Sequence, residues 1–156
     1  MAIQTDIEDL SLALDVARTG FFNQYEYGNL GMINANHNNR YPILHLLPPQ
    51  STFVNPYKNS EQLMCQFHCY SPVQLDTETV AVGVASQHIM LERTHDALLN
   101  QFKGTMQALL LGNEHKWIVN SQWTIERVNE EFNDGLCGII VTCQIEKFTN
   151  CLQYDV

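Results

Sequence analysis

Residues 132–148, FNDGLCGIIVTCQIEKF, place a turn directly before a strand. Asn133, Asp134 and Gly135 favour a tight turn because these residue types tolerate the backbone angles that turns require. Apolar residues then alternate with small or polar ones, with the period of two that is typical of a strand. The apolar positions are Cys137, Ile139, Val141, Cys143 and Ile145. This stretch predicts the second strand of a hairpin, with one face in the core.

The residues before the turn carry the same alternation and predict the first strand of the hairpin. Its apolar positions are Trp117, Val119, Trp123 and Ile125. The C-terminal hairpin is therefore expected over about 115–148, with NEEFND as its turn. Glu130 and Glu131 fall in this turn, where acids are typically solvated rather than catalytic.

Two further strands are predicted upstream. Residues 41–48 form an apolar run that begins at a proline and ends against Pro48 and Pro49, neither of which can donate to a strand ladder. Residues 61–73 alternate cleanly, which predicts a strand with one face in water. Its apolar side carries Leu63, Cys65, Phe67, Cys69 and Val73, and its polar side carries Gln62, Gln66 and His68.

Helical spacing marks two other segments. A helix is predicted over 6–19, where Thr5 and Glu8 form a capping box and Gly20 is a natural stop. A long helix is predicted over about 78–111, weakened by Gly83 and Gly104. The alternation of Val80, Val82 and Val84 leaves open that strand character persists before the helix begins. Its apolar positions are Val80, Val84, Leu91, Leu98, Phe102, Met106 and Leu109. Residues 20–40 show no sustained period and are expected to form a long loop with short strand pieces.

This order of elements predicts one α+β domain over 1–156. A small, largely antiparallel sheet is expected to pack on the long helix, accompanied by the N-terminal helix and the C-terminal β-hairpin.

The amino-acid composition argues against several classes of function. Eight Lys and Arg stand against 17 Asp and Glu, so the net charge of −9 argues against a protein that grips nucleic acid through phosphates. Only 16% of residues are charged, which suggests surface buried against partners. No window approaches the roughly 20 apolar residues of a membrane helix, and the N-terminal stretch lacks the features of a secretory signal. The chain is expected to fold in a cytosol.

The cysteines are predicted to pack in the core as small apolar residues. Positions four apart in a strand are ~13 Å apart, too far for Cys65 and Cys69 to share a zinc ion. Cys137 and Cys143 are separated by ~20 Å on the same reasoning. Pairing across strands, for example of Cys65 with Cys143, stays open. Cys151 lies outside the predicted strands and has no assigned role.

The most specific candidate for a chemical function in this sequence is a metal site on the long helix. His88, Glu92 and His95 are spaced at i, i+4 and i+7, with Asp96 beside them. A complete metal site needs a further ligand that the sequence does not identify. The alternative is a structural role, in which Glu92 forms an ion pair with His88 or His95 or with a neighbouring subunit. Nucleophile elbows and phosphate-binding loops are missing from the sequence. The chain is therefore predicted not to be an enzyme, with no catalytic, cofactor-binding or metal residues.

The stretch WTIERVNEEFNDGLCGIIVTCQIEKFTNC, residues 123–151, resembles the last hairpin of tail-terminator and head-tail joining proteins of tailed bacteriophages. In that group a polar turn with Asn or Asp is followed by Leu, a small residue, Gly and an alternating strand. Here Asn133, Asp134, Leu136, Cys137 and Gly138 match that pattern. NRYPILHLLPP, residues 39–49, also resembles the first strand of such proteins from phages of Bacteroides-type hosts, including crAss-like phages.

The resemblance implies a virion structural protein that forms a homomeric ring of six or twelve subunits between portal, neck and tail proteins. DNA would pass through the ring without specific binding, and the protein would be made in the host cytoplasm and reside in the virion neck or tail. Residues 22–40 and 49–60 are then expected to order against stacked neighbours. The alternatives are a small cytosolic adaptor that binds another protein and, third, a metal-binding enzyme built on His88, Glu92 and His95.

Overall fold

Two helices pack on one face of a mixed, seven-stranded sheet. The computed structural model describes residues 6–28, 40–55, 60–72, 84–112, 117–131 and 136–147. Within these residues the helices are α1 (Asp6–Ala17) and α2 (Val84–Gly112). The strands are β1 (Gln24–Tyr27), β2 (Ile43–Leu46), β3 (Gln50–Asn55), β4 (Ser60–Pro72), β5 (Trp117–Val119), β6 (Thr124–Glu131) and β7 (Leu136–Lys147). The predicted α+β class is confirmed.

The long antiparallel pair β4–β7 forms the centre of the sheet. Its register runs without a break from Gln62 opposite Glu146 to Pro72 opposite Leu136. β2 and β3 both pair with the outer edge of β4, while β5 and β6 both pair with the outer edge of β7. β1 adds to β2 in parallel, and the other described pairings are antiparallel. The sheet is thus five strands wide, with two of its positions filled by interrupted strands.

Each interruption has a local cause. Leu47 still donates to the carbonyl of Gln66, but Pro48 and Pro49 have no N–H groups, so the ladder stops until β3 begins. On the other side, Asn120 donates to the carbonyl of Gln144 and its side chain then accepts from the amide of residue 122, which turns the chain out of the sheet. Both interruptions lie level with the cross-strand pair of Cys65 and Cys143.

The main core lies between the helices and the odd-numbered side of β4 and β7. Phe67 packs on Phe102 of α2 with ring centroids 5.0 Å apart, and Phe102 contacts Trp123 edge-on at 5.2 Å. The described apolar positions predicted for β4 and β7 are buried, which confirms the alternation, and α1 buries Leu10, Leu14 and Ala17 with Ile7 half-buried at the edge. The buried strand and α1 residues include Leu10, Leu14, Leu63, Cys65, Phe67, Cys69, Ile139, Val141, Cys143 and Ile145.

Gly104 allows an aromatic ring to pack directly on the backbone of α2. A Cβ at this position would collide with the ring of Phe21, which follows α1. The glycine that weakens the helix in the sequence therefore makes room for an aromatic side chain against its backbone.

Several boundaries differ from the predictions. β3 was not predicted, and β5 and β6 are two strands where the alternation indicated one. Glu130 and Glu131 are the last residues of β6, not part of a turn, because a register shift after Val128 extends the strand. Two predictions agree with the structure: β1 lies within 20–40, where short strand pieces were expected, and the described part of the predicted helix 78–111 is helical. Residues 78–83 and the turn at 132–135 lie outside the described residues.

The polar side of β4 is also different from the prediction. It was expected to face water along its length, and Gln66 is exposed. His68 and Tyr70 are buried on that side, however, and Tyr70 packs with Ile43 and Leu136 in a second, smaller apolar cluster. The sheet therefore has a buried patch on the face that α1 and α2 leave uncovered.

Candidate functional site

The four described cysteines are core residues. Cys65, Cys69, Cys137 and Cys143 are buried and not disulfide-bonded, as predicted. Burial raises the pKa of all four thiols, that of Cys143 to about 12. A thiol must lose its proton to attack an electrophile or bind a metal ion. These thiols therefore stay protonated and unreactive at neutral pH. Cys151 lies outside the described residues.

Cys65 and Cys143 face each other across the central strand pair. The cross-strand placement that the sequence left open is therefore the observed one. Cys137 is separate from them: its thiol lies 3.5 Å from the carbonyl oxygen of Ser71, which accepts from it.

The histidines and acids proposed for a metal site on α2 are used differently. The Nε2–H group of His95 donates to the carbonyl oxygen of Val128 at 3.2 Å, and His95 is buried. The Asp96 carboxylate lies 3.9 Å from the Arg127 guanidinium, in an exposed ion pair. Both contacts join α2 to β6. Glu92 is exposed, and the side chain of His88 lies outside the described part of the chain. Across the described residues, no group of three or more His, Cys, Asp or Glu could hold a metal ion.

A buried polar row crosses the uncovered face of the sheet. Glu26, His45 and His68 lie opposite one another on β1, β2 and β4. The Nε2–H group of His45 donates to the carbonyl oxygen of Gly28 at 2.6 Å, which leaves its Nδ1 buried and without a hydrogen-bond partner in the described structure. His68 Nδ1 lies 2.6 Å from the Tyr70 hydroxyl.

The titratable group considered in this row is the His45 imidazole, which can gain a proton as the pH falls. Burial lowers the pKa of His45, while the Gly28 carbonyl and Glu26 act in the opposite direction. Protonation would place an N–H group at the buried Nδ1, where the described residues provide no acceptor. No residue spacing in the sequence predicts this row. Its only sign is a single histidine within the apolar run ILHLL, where an ionisable side chain is unusual.

Two depressions lie at the break between β5 and β6, one on each side of the sheet, and both are lined by Asn120 and Ser121. The sheet-side groove has a volume of about 380 Å³ and includes Gln62, Ile118, Gln144 and Glu146. The helix-side pocket has a volume of about 250 Å³. Its other lining residues are Lys103, Met106, Gln107, Leu110, Val119 and Trp123. The helix-side pocket is thus mostly apolar, with one lysine at its rim.

Large apolar side chains are exposed at two other places. Leu12 is 59% exposed and Val16 is 73% exposed on the outer side of α1, one helical turn apart. We call these two residues the α1 ridge. Leu111 is 74% exposed at the end of α2, and Ile118 on β5 is half exposed. An isolated exposed apolar residue is ordinary, whereas large contiguous apolar patches are typical of interaction surfaces.

Ion pairs join the acidic first turn of α1 to Lys147 at the end of β7. The Nζ of Lys147 lies 2.6 Å from the Asp9 carboxylate and 3.6 Å from that of Asp6. Its hydrogen bond with Asp9 is the main cause that raises the pKa of Lys147. At the other end of the helix, the Arg18 guanidinium pairs with Asp15 at 3.0 Å.

Two comparisons were made, with protein families and with curated proteins. No protein-family model matches this chain. A search of curated proteins finds no match either. Neither described helix has the length and hydropathy that a membrane span requires.

Proposed function

We propose that this chain is a virion structural protein that forms a homomeric ring in the neck or tail of a tailed bacteriophage. As a tail terminator or head-tail connector, it would join the capsid portal to the tail around the DNA channel. The class is suggested by the resemblance of residues 123–151, described above, to the last hairpin of such proteins.

The observation that carries the proposal is the presence of two different exposed apolar surfaces. One is the α1 ridge, and the other is the helix-side pocket near the end of α2, where Leu110 and Trp123 are half-buried. A ring whose subunits meet head to tail requires two unlike surfaces on each copy, because every subunit contacts one neighbour with each. A protein with two such surfaces and few charges is suited to repeated self-association.

The charge balance supports the same role. A net charge of −9 gives the chain an acidic surface, which repels phosphate groups. DNA can therefore slide past such a subunit without being held. The charges of the described residues also serve structural contacts, as in the pairs of Lys147 with Asp9 and of Arg18 with Asp15.

The test is the oligomeric state of the purified chain. Native mass spectrometry and negative-stain imaging should show one discrete ring, either alone or after mixing with portal and neck proteins. A ring with a defined number of copies supports the proposal. A chain that stays monomeric at every concentration and with every neck partner would exclude it.

The second candidate function is a small adaptor that binds another protein, and the helix-side pocket favours it. An apolar pocket of this kind can receive one or two side chains of a peptide. A stable one-to-one complex with a different protein, formed by a chain that does not self-associate, would favour this candidate over the ring.

A further inference from the structure

We propose that the α1 ridge of one copy docks into the helix-side pocket of the next copy, with Lys103 against the carboxylates beside the ridge. This inference rests on the proposed ring, and it names the two surfaces through which neighbouring copies meet.

The first reason is that none of the described residues of α1 lines the helix-side pocket of its own copy. Lys103 and Gln107, one turn apart on α2, line this pocket, whereas α1 is followed by Phe21, which packs against α2 at Gly104. A copy therefore cannot fill its own pocket with its own α1 ridge, but the next copy in a head-to-tail arrangement can.

The second reason is chemical fit. Leu12 and Val16 project from one side of α1 because they are four residues apart. The pocket presents Leu110 and Trp123, both half-buried, as apolar partners above the buried Met106. Two branched side chains one turn apart match a shallow apolar pocket of about 250 Å³.

The third reason is charge complementarity. Glu8 lies one turn before Leu12 and is exposed, and Asp15, one turn after Leu12, is exposed within its ion pair with Arg18. Lys103 is exposed at the rim of the pocket and takes part in none of the ion pairs seen among the described residues. In the docked pair, acids beside the ridge face the lysine beside the pocket, which also sets the direction of docking.

The experiment uses two variants of the full chain, one for each surface. The ridge variant carries Leu12→Lys and Val16→Lys, and the pocket variant carries Lys103→Glu and Gln107→Glu. All four positions are exposed, and Lys and Glu are good helix formers, so both variants are expected to fold. Circular dichroism and thermal melting check this. If the ridge variant melts early, Val16→Lys alone replaces it.

Each variant alone should lose the ring under conditions in which the wild type assembles, with a dissociation constant raised by more than about tenfold. A mixture of the two should form a two-copy complex and nothing larger, because the mixture retains only one intact ridge-to-pocket contact per pair. A control variant carries Gln66→Lys and Thr124→Lys, which are exposed positions on the sheet. It should assemble as the wild type does.

The outcomes separate this inference from the proposed function. If the wild type forms rings and both folded variants also form them, the ridge-to-pocket contact is wrong and the ring stands. If the folded variants stay monomeric when mixed, the two surfaces do not contact each other, and the inference is again wrong. A wild type that never assembles contradicts the proposed function itself.

Discussion

The Nε2 atom of His45 lies 2.6 Å from the carbonyl oxygen of Gly28, and this contact holds the end of β1 against β2. Gly28 has a φ of 123°, a backbone conformation that favours glycine, and its amide donates to the carbonyl of Leu46. β1 has only four residues, and its described pairing is with β2 alone. A buried histidine therefore fixes one end of the edge strand.

Stability should depend on the protonation of His45. Burial lowers the pKa of His45 in the folded protein below its ordinary value of 6.5, so between the two values the unfolded chain binds more protons. The free energy of unfolding should consequently decrease as the pH falls below 6.5 and level off below the folded pKa. Urea unfolding at about pH 7.5 and about pH 5.5 measures this difference.

The matched control for this prediction is His45→Gln. Its amide can still donate to the Gly28 carbonyl but does not titrate, so the variant should lose less stability between the two pH values than the wild type does. Equal losses in both proteins would show that His45 is not the group responsible.

Gly138→Ala should destabilise the protein by about 1–3 kcal/mol. A Cβ at Gly138 would lie 2.5 Å from the carbonyl oxygen of Cys69 and 2.7 Å from the ring of Tyr70. This carbonyl group belongs to the backbone of the central strand β4, so moving it away would cost substantial free energy. Gly112→Ala is the control, because nothing lies within 4 Å of a Cβ there. Urea unfolding that finds both variants equally stable would contradict the prediction.

Gly104→Ala should have opposite effects in two backgrounds. In the wild type the added methyl group collides with Phe21, so the variant should be less stable. In a Phe21→Ala background the collision is gone, and alanine should stabilise α2 by up to about 1 kcal/mol through its better helix propensity. A double-mutant cycle of unfolding free energies measures this reversal, and the same sign in both backgrounds would disprove the close packing of Phe21 on α2.

The buried cysteines should resist alkylation and tolerate alanine better than serine. A thiol reagent applied to the folded protein should leave Cys65, Cys69, Cys137 and Cys143 unmodified until denaturant is added. Cys143→Ser should be less stable than Cys143→Ala by about 1–3 kcal/mol, because serine places a hydroxyl group in the core. Rapid native labelling of any of the four would contradict their placement in the core.

The alternation of apolar residues predicted β4 and β7 well because each strand has one side against the helices. The same pattern could not reveal the break between β5 and β6. Between Val119 and Thr124 the chain takes five steps while its partner β7 takes three, from Ile145 to Thr142. Two extra residues leave the parity of the alternation unchanged, so Trp117 and Ile125 still face the same side.

The site residues were predicted less well, for a different reason. The spacing of His88, Glu92 and His95 defines a helix face but does not state what that face packs against. In the structure His95 contacts the backbone of β6, a strand distant in sequence. His45 gave no pattern at all, since its role depends on the Gly28 carbonyl and on its neighbours across the sheet.

The two interruptions that flank Cys65 and Cys143 also have a mechanical consequence. At that level only β4 and β7 are continuous among the described strands, whereas the sheet is wider on both sides of it. The two halves of the sheet are therefore joined by a waist two strands wide, formed by the pairing of β4 with β7. Local opening is easiest where the fewest backbone hydrogen bonds hold a sheet together, so we expect twisting of one half against the other to concentrate at this waist.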